Sequence, residues 1–153
     1  MAHEHSYKIT YKNLATEEEG KDFLLKRNKQ FIVPDTNLKK QILKEFGLGD
    51  KYIRAFDLVL LRKKVKPGDI IDWNKNNITL IELKTTKKKL PNNPRGFFFG
   101  ATYSEYDVAR KLGNKYKFCF VCLHEDSKSY KLLTLEEMEL LIKNKRRQYQ
   151  INL

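Results

Sequence analysis

Apolar residues at helical spacing predict two helices at the start of the chain. Thr16 and Glu19 form a capping-box pattern that places the start of the first helix, and the apolar pattern continues to about Gln30. A second helical pattern covers residues 38–46. Gly47 follows it, and glycine is the residue that best tolerates the left-handed conformation at a helix C-terminus.

The period then changes from helical to extended. Residues 55–61 form a nearly continuous apolar run with one acid inside it, Asp57, which is typical of a buried strand. Two further strands are expected at 69–73 and 78–84. The polar residues 74–77 between them favour a hairpin turn.

Two later helices have clear start signals. The third helix is expected to begin after Ser104 as N-cap, with Asp107 at the third helical position and Gly113 as C-cap. The fourth is expected to begin at Thr134, which forms a capping box with Glu137.

Three more apolar runs complete the pattern. The aromatic run at 97–99 is typical of a core strand, and strands are also expected at 116–123 and 130–133. Cys119 and Cys122 would point to opposite faces of their strand, which favours buried thiols over zinc ligands. The predicted order is two helices, four strands, one helix, two strands and a final helix, so we expect an α/β or α+β fold in which a mixed central β-sheet is flanked by helices.

Length and composition indicate one domain. The 153 residues are 41% hydrophobic, enough for a single core, so we expect one domain over 1–153, in which 1–50 form a helical N-terminal part. No apolar run approaches the roughly 20 residues that span a bilayer. The first residues lack the apolar segment of a secretory signal, and two cysteines cannot form a disulfide framework. A cytoplasmic protein without membrane contact is therefore expected.

The strong positive charge changes this picture. There are 31 Lys+Arg and 19 Asp+Glu residues, a formal net charge of +12. An excess of this size attracts polyanions over long distances and is typical of proteins that bind nucleic acid. A merely solvated basic surface, as in thermal adaptation, is the alternative.

Charged residues occur where a core strand would be apolar. Side chains alternate along a strand, so Glu82 and Lys84 share a face with Ile78 and Leu80. Asp57 can face them from a neighbouring strand. Burying such charges costs several kcal/mol each unless they are paired or hold a metal. A structural set of ion pairs at a strand end is the alternative to a functional site.

Two carboxylates beside a lysine suit metal-assisted hydrolysis of a phosphodiester bond. Mg²⁺ prefers hard oxygen ligands and also accepts phosphate oxygens, so Asp57 and Glu82 are the candidate metal ligands, with Mn²⁺ as a substitute. A bound metal acidifies water and stabilises developing charge. Lys84 can position that water.

These residues resemble a known superfamily. Asp57 followed by Glu82-Leu83-Lys84 is similar to the motif of the PD-(D/E)xK nucleases. A closer similarity, to the Mrr-like branch and in particular to the domain named after the C-terminus of the plant protein NO VEIN, runs through residues 81–86, 97–99 and 104–113. The resemblance covers residues 54–123. It implies a restriction-endonuclease-like core, with the catalytic core and C-terminal helix in 51–153.

The sequence departs from that motif at the aspartate. The literal Pro-Asp pair, at residues 34–35, precedes a helix and indicates a turn and N-cap, so the metal-binding role is assigned to Asp57, which follows a phenylalanine. A glutamate on the first helix often completes such sites in the superfamily. Glu17, Glu18 and Glu19 are the candidates, although capping also explains Glu19.

Basic and aromatic residues after the lysine are candidates for substrate contact. Lys87, Lys88, Lys89 and Arg95 follow the candidate catalytic strand and are expected to contact DNA phosphates, although solvated faces would explain them too. The aromatic run could act as a wedge between bases, but a core strand is the simpler interpretation. Tyr103 and Glu105 could approach the substrate from the start of the third helix.

The leading hypothesis is a Mg²⁺-dependent endonuclease, a hydrolase acting on double-stranded DNA. The resemblance implies a restriction or phage-defence role and a homodimer, since one small site cuts one strand. One rival is a catalytically inactive DNA-binding subunit of a larger complex with the same fold. Another is an RNA-directed nuclease or RNA-binding protein, for which exposed stacking aromatics would be expected.

Overall fold

A mixed sheet of five strands forms the centre of the computed structural model, which describes the backbone of residues 2–153 and the side chains of residues 15–153. The helices are α1 (Ala2–Arg27), α2 (Thr36–Glu45), α3 (Tyr103–Leu112) and α4 (Leu135–Glu139). The strands are β1 (Phe31–Ile32), β2 (Leu58–Leu61), β3 (Ile78–Thr86), β4 (Tyr116–Cys122) and β5 (Ser129–Leu133). No helix among these described residues is long and apolar enough to cross a membrane.

The strands lie in the sheet in their order along the chain, with β3 in the middle. β3 pairs antiparallel with β2 and parallel with β4, and the outer pairs are antiparallel. A parallel pair needs a long crossover connection. Residues 87–115, which include α3, form it. The expected α/β fold, a mixed sheet flanked by helices, is confirmed.

Apolar side chains cover both faces of the sheet. On one face, residues of α2, α3 and α4 pack on the strands in a cluster that includes Ile42, Val108, Met138, Leu80, Phe118 and Phe120. On the other face, Leu24 of α1 packs with strand residues that include Phe31, Leu58, Ile81, Cys119 and Val121. The N-terminal part, residues 1–50, thus contributes to both clusters. Both cysteines are buried thiols, as expected.

The first helix begins earlier than predicted. α1 is continuous from Ala2 through Thr16, so Thr16 and Glu19 are interior residues and not its start. No glycine or proline interrupts residues 2–19, and nothing in the backbone therefore stops the helix at the capping-box pattern. The side chains of residues 1–14 lie outside the described ones.

The predicted strand at 69–73 is absent, and no strand forms at 97–99. Asp69 and Asp72 instead accept hydrogen bonds from the nearby backbone amides of Lys66 and Asn74. Such local turns compete with pairing in a sheet. The partner of β3 is β2, and the intervening segment 62–77 is a loop. β2 itself begins at Leu58, three residues later than predicted.

The helix ends were predicted with mixed success. Asp35 caps α2, Gly47 follows it with φ 71°, and Thr134 forms the expected capping box with Glu137 at α4. For α3 the predicted pair Ser104 and Asp107 is wrong by two residues. Thr102 is the N-cap and Glu105 completes the box. Both pairs fit the capping-box pattern. Glu105 is buried, and its burial selects Thr102 as the N-cap.

A glycine sets how closely α1 approaches the sheet. A methyl group at Gly20 would lie 2.3 Å from Cγ2 of Thr85 on β3, closer than van der Waals contact allows. We expect Gly20→Ala to lower the free energy of unfolding by about 1 kcal/mol, because overpacking outweighs alanine's better helix propensity. In a Thr85→Ala background the same change should instead raise it by up to about 1 kcal/mol. Urea denaturation measures both.

Gly49→Ala is the matched control, because nothing lies within 4 Å of a methyl group there and its φ is −85°. It should leave the stability within roughly 0.5 kcal/mol of wild type. An identical effect of Gly20→Ala in both backgrounds would show that Thr85 does not limit the approach of α1.

Candidate active site

Asp57 lies directly before β2 and opposite Glu82 on β3. Leu58 pairs with Ile81, and extending this antiparallel register by one residue brings the two acids face to face. The Asp57 amide donates to the Ile81 carbonyl at 2.8 Å, and the Leu83 amide donates to Asp57 Oδ2 at 2.8 Å. Backbone and side chain together therefore fix the aspartate against β3.

A buried hydroxyl and a half-buried ammonium group hold the segment that leads into the aspartate. The Tyr116 hydroxyl donates to the Ala55 carbonyl at 2.5 Å. Lys39 Nζ donates to the carbonyls of Phe56 and Ile53, at 2.8 and 3.2 Å. Burial lowers the pKa of Lys39, although the charge of nearby Asp57 opposes that shift. The position of the aspartate thus depends on contacts from both α2 and β4.

Lys84 lies between two buried glutamates. Its Nζ is 2.6 Å from Glu105 Oε1 and 3.4 Å from Glu82 Oε1. Glu82 is only 7% exposed and Glu105 only 4%. Glu82 and Lys84 share the sheet face that α3 covers, as strand alternation predicted, and this brings the lysine to the first turn of that helix.

Glu105 joins the helix cap to the lysine. The Thr102 amide and hydroxyl donate to Glu105 Oε2 at 3.2 and 2.7 Å, while Oε1 accepts from Lys84. From the sequence, Glu105 was expected to approach the substrate, with no role at Lys84. The pattern Thr102-x-x-Glu105 was the signal that could have shown that this glutamate points back from the helix start.

The electrostatics of Glu82 and Lys84 follow from their burial. Burial and the adjacent Asp57 carboxylate raise the pKa of Glu82 well above its usual range, and the charge of Lys84 only partly opposes this. Burial disfavours the charge of Lys84, but Glu82 and Glu105 together outweigh it and raise the pKa of the ammonium group. Lys84 therefore stays protonated at neutral pH.

One oxygen of Glu82 is unsatisfied. Oε1 accepts from Lys84, but buried Oε2 has no hydrogen-bond partner among the side chains described here. The neighbouring carboxyl of Asp57 could form a hydrogen bond with Glu82 only if one of the two acids were protonated. A buried acceptor without a donor costs about 1–3 kcal/mol, so the site favours a proton or a cation at this point.

Of the three glutamates proposed from α1, the structure brings Glu17 to the site. Burial and the charge of Asp57 raise the pKa of Glu17, while Lys21, 3.8 Å away, opposes this. The other two glutamates have different partners. Glu18 has a 71% exposed side chain paired with Lys21, and Glu19 pairs with Lys87 at 3.2 Å. Glu17 is thus the one of the three whose electrostatics involve Asp57, and the expectation that Glu18 or Glu19 supplies the additional acid stays a prediction.

An open pocket of about 580 Å³ connects Glu17, Glu82 and Lys84 to solvent, and Asp57 is not part of its lining. Its lining includes Glu17, Glu82, Lys84, Lys87 and Phe98. Of the four predicted phosphate-contacting residues, only Lys87 lines this pocket. Lys88, Lys89 and Arg95 are exposed, and Lys89 pairs with Asp126 at 3.6 Å.

The site fits a hard divalent cation held by two carboxylates. Among residues 15–153, no three His, Cys, Asp or Glu side chains converge as a preformed ligand set. Mg²⁺, however, is commonly held by one or two carboxylates and completed by water and substrate phosphate. Asp57 and Glu82 are adjacent acids, and Glu82 Oε2 has no partner among the described side chains. A cation would satisfy that oxygen and reduce the repulsion between the two acids.

The structure defines a mixed α/β fold with an acidic, lysine-containing pocket beside β3, and Asp57 lies nearby at the start of β2. Comparison of the chain with protein-family models, with curated proteins and with solved structures found no match. The function is therefore inferred from the geometry of this pocket and from the residues that form it.

The buried charge of Glu82 predicts a pH-dependent gain in stability for Glu82→Gln. An acid whose pKa is raised on folding binds its proton more tightly in the native state, so stability falls as pH rises through the folded-state pKa. Glutamine cannot ionise. In EDTA, Glu82→Gln should exceed wild type in unfolding free energy by roughly 1 kcal/mol near pH 8 and match it near pH 4.

Urea denaturation at the two pH values measures this difference. Glu18→Gln is the control because that side chain is largely exposed, and it should equal wild type at both. A Glu82→Gln protein less stable than wild type near pH 8 would contradict the raised pKa of this glutamate.

Proposed function

We propose that this protein is a Mg²⁺-dependent endonuclease that hydrolyses phosphodiester bonds in double-stranded DNA. The observation that supports it is the pairing of Asp57 with Glu82, whose buried Oε2 lacks a partner among the described side chains, beside the charged Lys84. The resemblance to Mrr-like and NO VEIN C-terminal domains favours a restriction-endonuclease-like core and a role in restriction or phage defence.

Asp57 and Glu82 would hold the metal. Mg²⁺, when bound, lowers the pKa of a water ligand and neutralises charge on the phosphate. The chain's own contribution is to hold two carboxylates at one point despite their repulsion. The hydrogen bonds that the amide and the carboxylate of Asp57 make with the backbone of β3 provide this.

Lys84 would act as a hydrogen-bond donor and a positive charge, not as a base. Its raised pKa keeps the ammonium protonated, so it cannot accept a proton from water. An ammonium has three N–H donors, and Glu105 and Glu82 accept two of them. The third is suited to orient the attacking water or to stabilise charge on the phosphate.

Glu105 would fix the direction of that third donor. Its two oxygens are bound to different elements, one to the α3 cap and one to Lys84. The lysine therefore cannot turn without breaking a buried ion pair. We regard Glu105 as a positioning residue for Lys84.

The exposed basic residues after β3 would position the DNA. Lys87 lies on the pocket wall, and Lys88, Lys89 and Arg95 are exposed beyond it. Contacts of such residues to phosphate give affinity without sequence readout. Cutting both strands needs two sites, so a homodimer in the cytoplasm is part of this proposal.

A DNA-binding subunit without catalytic activity is the second candidate. The raised pKa of Glu82 favours it, because a protonated carboxyl is a poor metal ligand. In this case the basic surface would bind DNA, and the acids would have only a structural role. Binding without cleavage separates the two candidates.

Cleavage of supercoiled plasmid tests the nuclease. With Mg²⁺ or Mn²⁺, wild type should nick or linearise the plasmid, and EDTA should abolish this. Glu82→Ala and Lys84→Ala should lower the rate at least about 100-fold, because each removes a charge that acts on the reacting phosphate. Glu17→Gln should lower it about tenfold by removing the third acid near Asp57.

Glu18→Gln is the matched control for Glu17→Gln, since it removes the neighbouring exposed acid of the same helix. It should retain wild-type rates. Equal nicking by wild type, Glu82→Ala and Lys84→Ala would exclude the proposed site, and binding with no cleavage in either metal would favour the inactive subunit.

The salt dependence of DNA binding tests the basic segment. The logarithm of the association constant should fall linearly with the logarithm of salt concentration, and each lost phosphate contact should reduce the slope by about 1. We expect Lys87→Ala/Lys88→Ala to reduce it by up to about 2. Fluorescence anisotropy with a short duplex measures it.

Lys63→Ala/Lys64→Ala is the control for this measurement. It removes the same charge from exposed positions in the loop 62–77, which do not line the pocket. If this variant changed the slope as much as Lys87→Ala/Lys88→Ala does, the segment after β3 would contribute no more to DNA binding than any other basic segment.

A further inference from the structure

The aromatic run at 97–99 is divided between the core and the solvent. The rings of Phe97 and Phe99 both pack edge-to-face on Phe120 of β4, with centroids 5.1 and 5.0 Å away. Phe98 between them is 97% exposed. Neighbouring side chains of an extended segment point in opposite directions, so anchoring the outer two holds the middle one outward.

Phe98 also lines the pocket that contains Glu82 and Lys84. Single exposed apolar residues are common on protein surfaces and need no explanation by themselves. This one is held on both sides by packed rings, and it shares a wall with the candidate catalytic lysine and with the exposed ammonium of Lys87. An exposed aromatic face beside a cation suits a nucleotide, which has a flat base and a charged phosphate.

We propose that Phe98 stacks on an unpaired base next to the phosphate that is cut. This inference rests on the proposed function and narrows its substrate to duplex DNA with a locally unpaired nucleotide. A base inside an intact duplex is covered on both faces by its neighbours, so only an unpaired or displaced base can meet the ring. Phe98 then selects the substrate and Lys87 contacts the adjoining phosphate.

The test measures stacking separately from cleavage. A short DNA duplex with one unpaired 2-aminopurine is bound in EDTA, where the fluorescence of this base decreases when an aromatic ring stacks on it. Wild type should quench it, Phe98→Ala should abolish the quenching and weaken binding about tenfold, and Phe98→Trp should restore both. A fully paired duplex should bind Phe98→Ala and wild type equally.

Two controls exclude a general effect of exposed aromatic residues and a loss of stability. Tyr149 is another exposed aromatic residue, 76% exposed and not part of the pocket lining, so Tyr149→Ala should quench like wild type. Because the Phe98 ring is almost fully exposed, its removal should leave the free energy of unfolding within roughly 0.5 kcal/mol.

The outcomes separate this inference from the proposed function. Quenching by Phe98→Ala equal to wild type overturns the inference, whether or not plasmid is cleaved. Phe98-dependent quenching without cleavage in Mg²⁺ supports the stacking of Phe98 on an unpaired base and overturns the nuclease. Tighter binding of the RNA version of the probe overturns the assignment to DNA.

Discussion

The buried contact of Lys84 with Glu82 and Glu105 is the interaction on which the site depends. It joins the central strand to the first turn of α3 and places charge in a region of low dielectric constant. Such groups contribute little net stability, but removing the lysine would leave two buried acids without their cation, and breaking a buried ion pair typically costs 3–5 kcal/mol. The surrounding packing must therefore hold the triad in place.

The same argument applies to Asp57 and Glu82, which repel each other. The β2–β3 register brings them together, and the carbonyls before Asp57 are held by donors from α2 and β4. The free energy of the apolar clusters on both faces thus maintains an unfavourable contact between like charges. A proton or a cation relieves this repulsion, and the two possibilities correspond to the inactive and the catalytic interpretations.

Local patterns could predict part of this arrangement. Strand alternation was enough to put Glu82 and Lys84 on one face, and capping chemistry gave the start of α2 and of α4. Such local patterns could not choose among the three consecutive glutamates on α1. Successive residues of a helix point about 100° apart, and which of them faces the site depends on how the helix packs against β3. The α3 cap was also undecided locally: two pairs obeyed the same rule, and only the distant Lys84 selects Glu105.

The pairing of β3 with β4 connects the candidate catalytic lysine with the aromatic part of the pocket. In this parallel register Lys84 lies opposite Phe120, and Phe120 is the ring on which Phe97 and Phe99 pack. A shift of register by two residues would move both the lysine and the aromatic segment away from their partners while leaving the alternation of faces unchanged. The position of the aromatic segment relative to Lys84 therefore depends on the backbone register of β3 and β4 together with the ring contacts on Phe120.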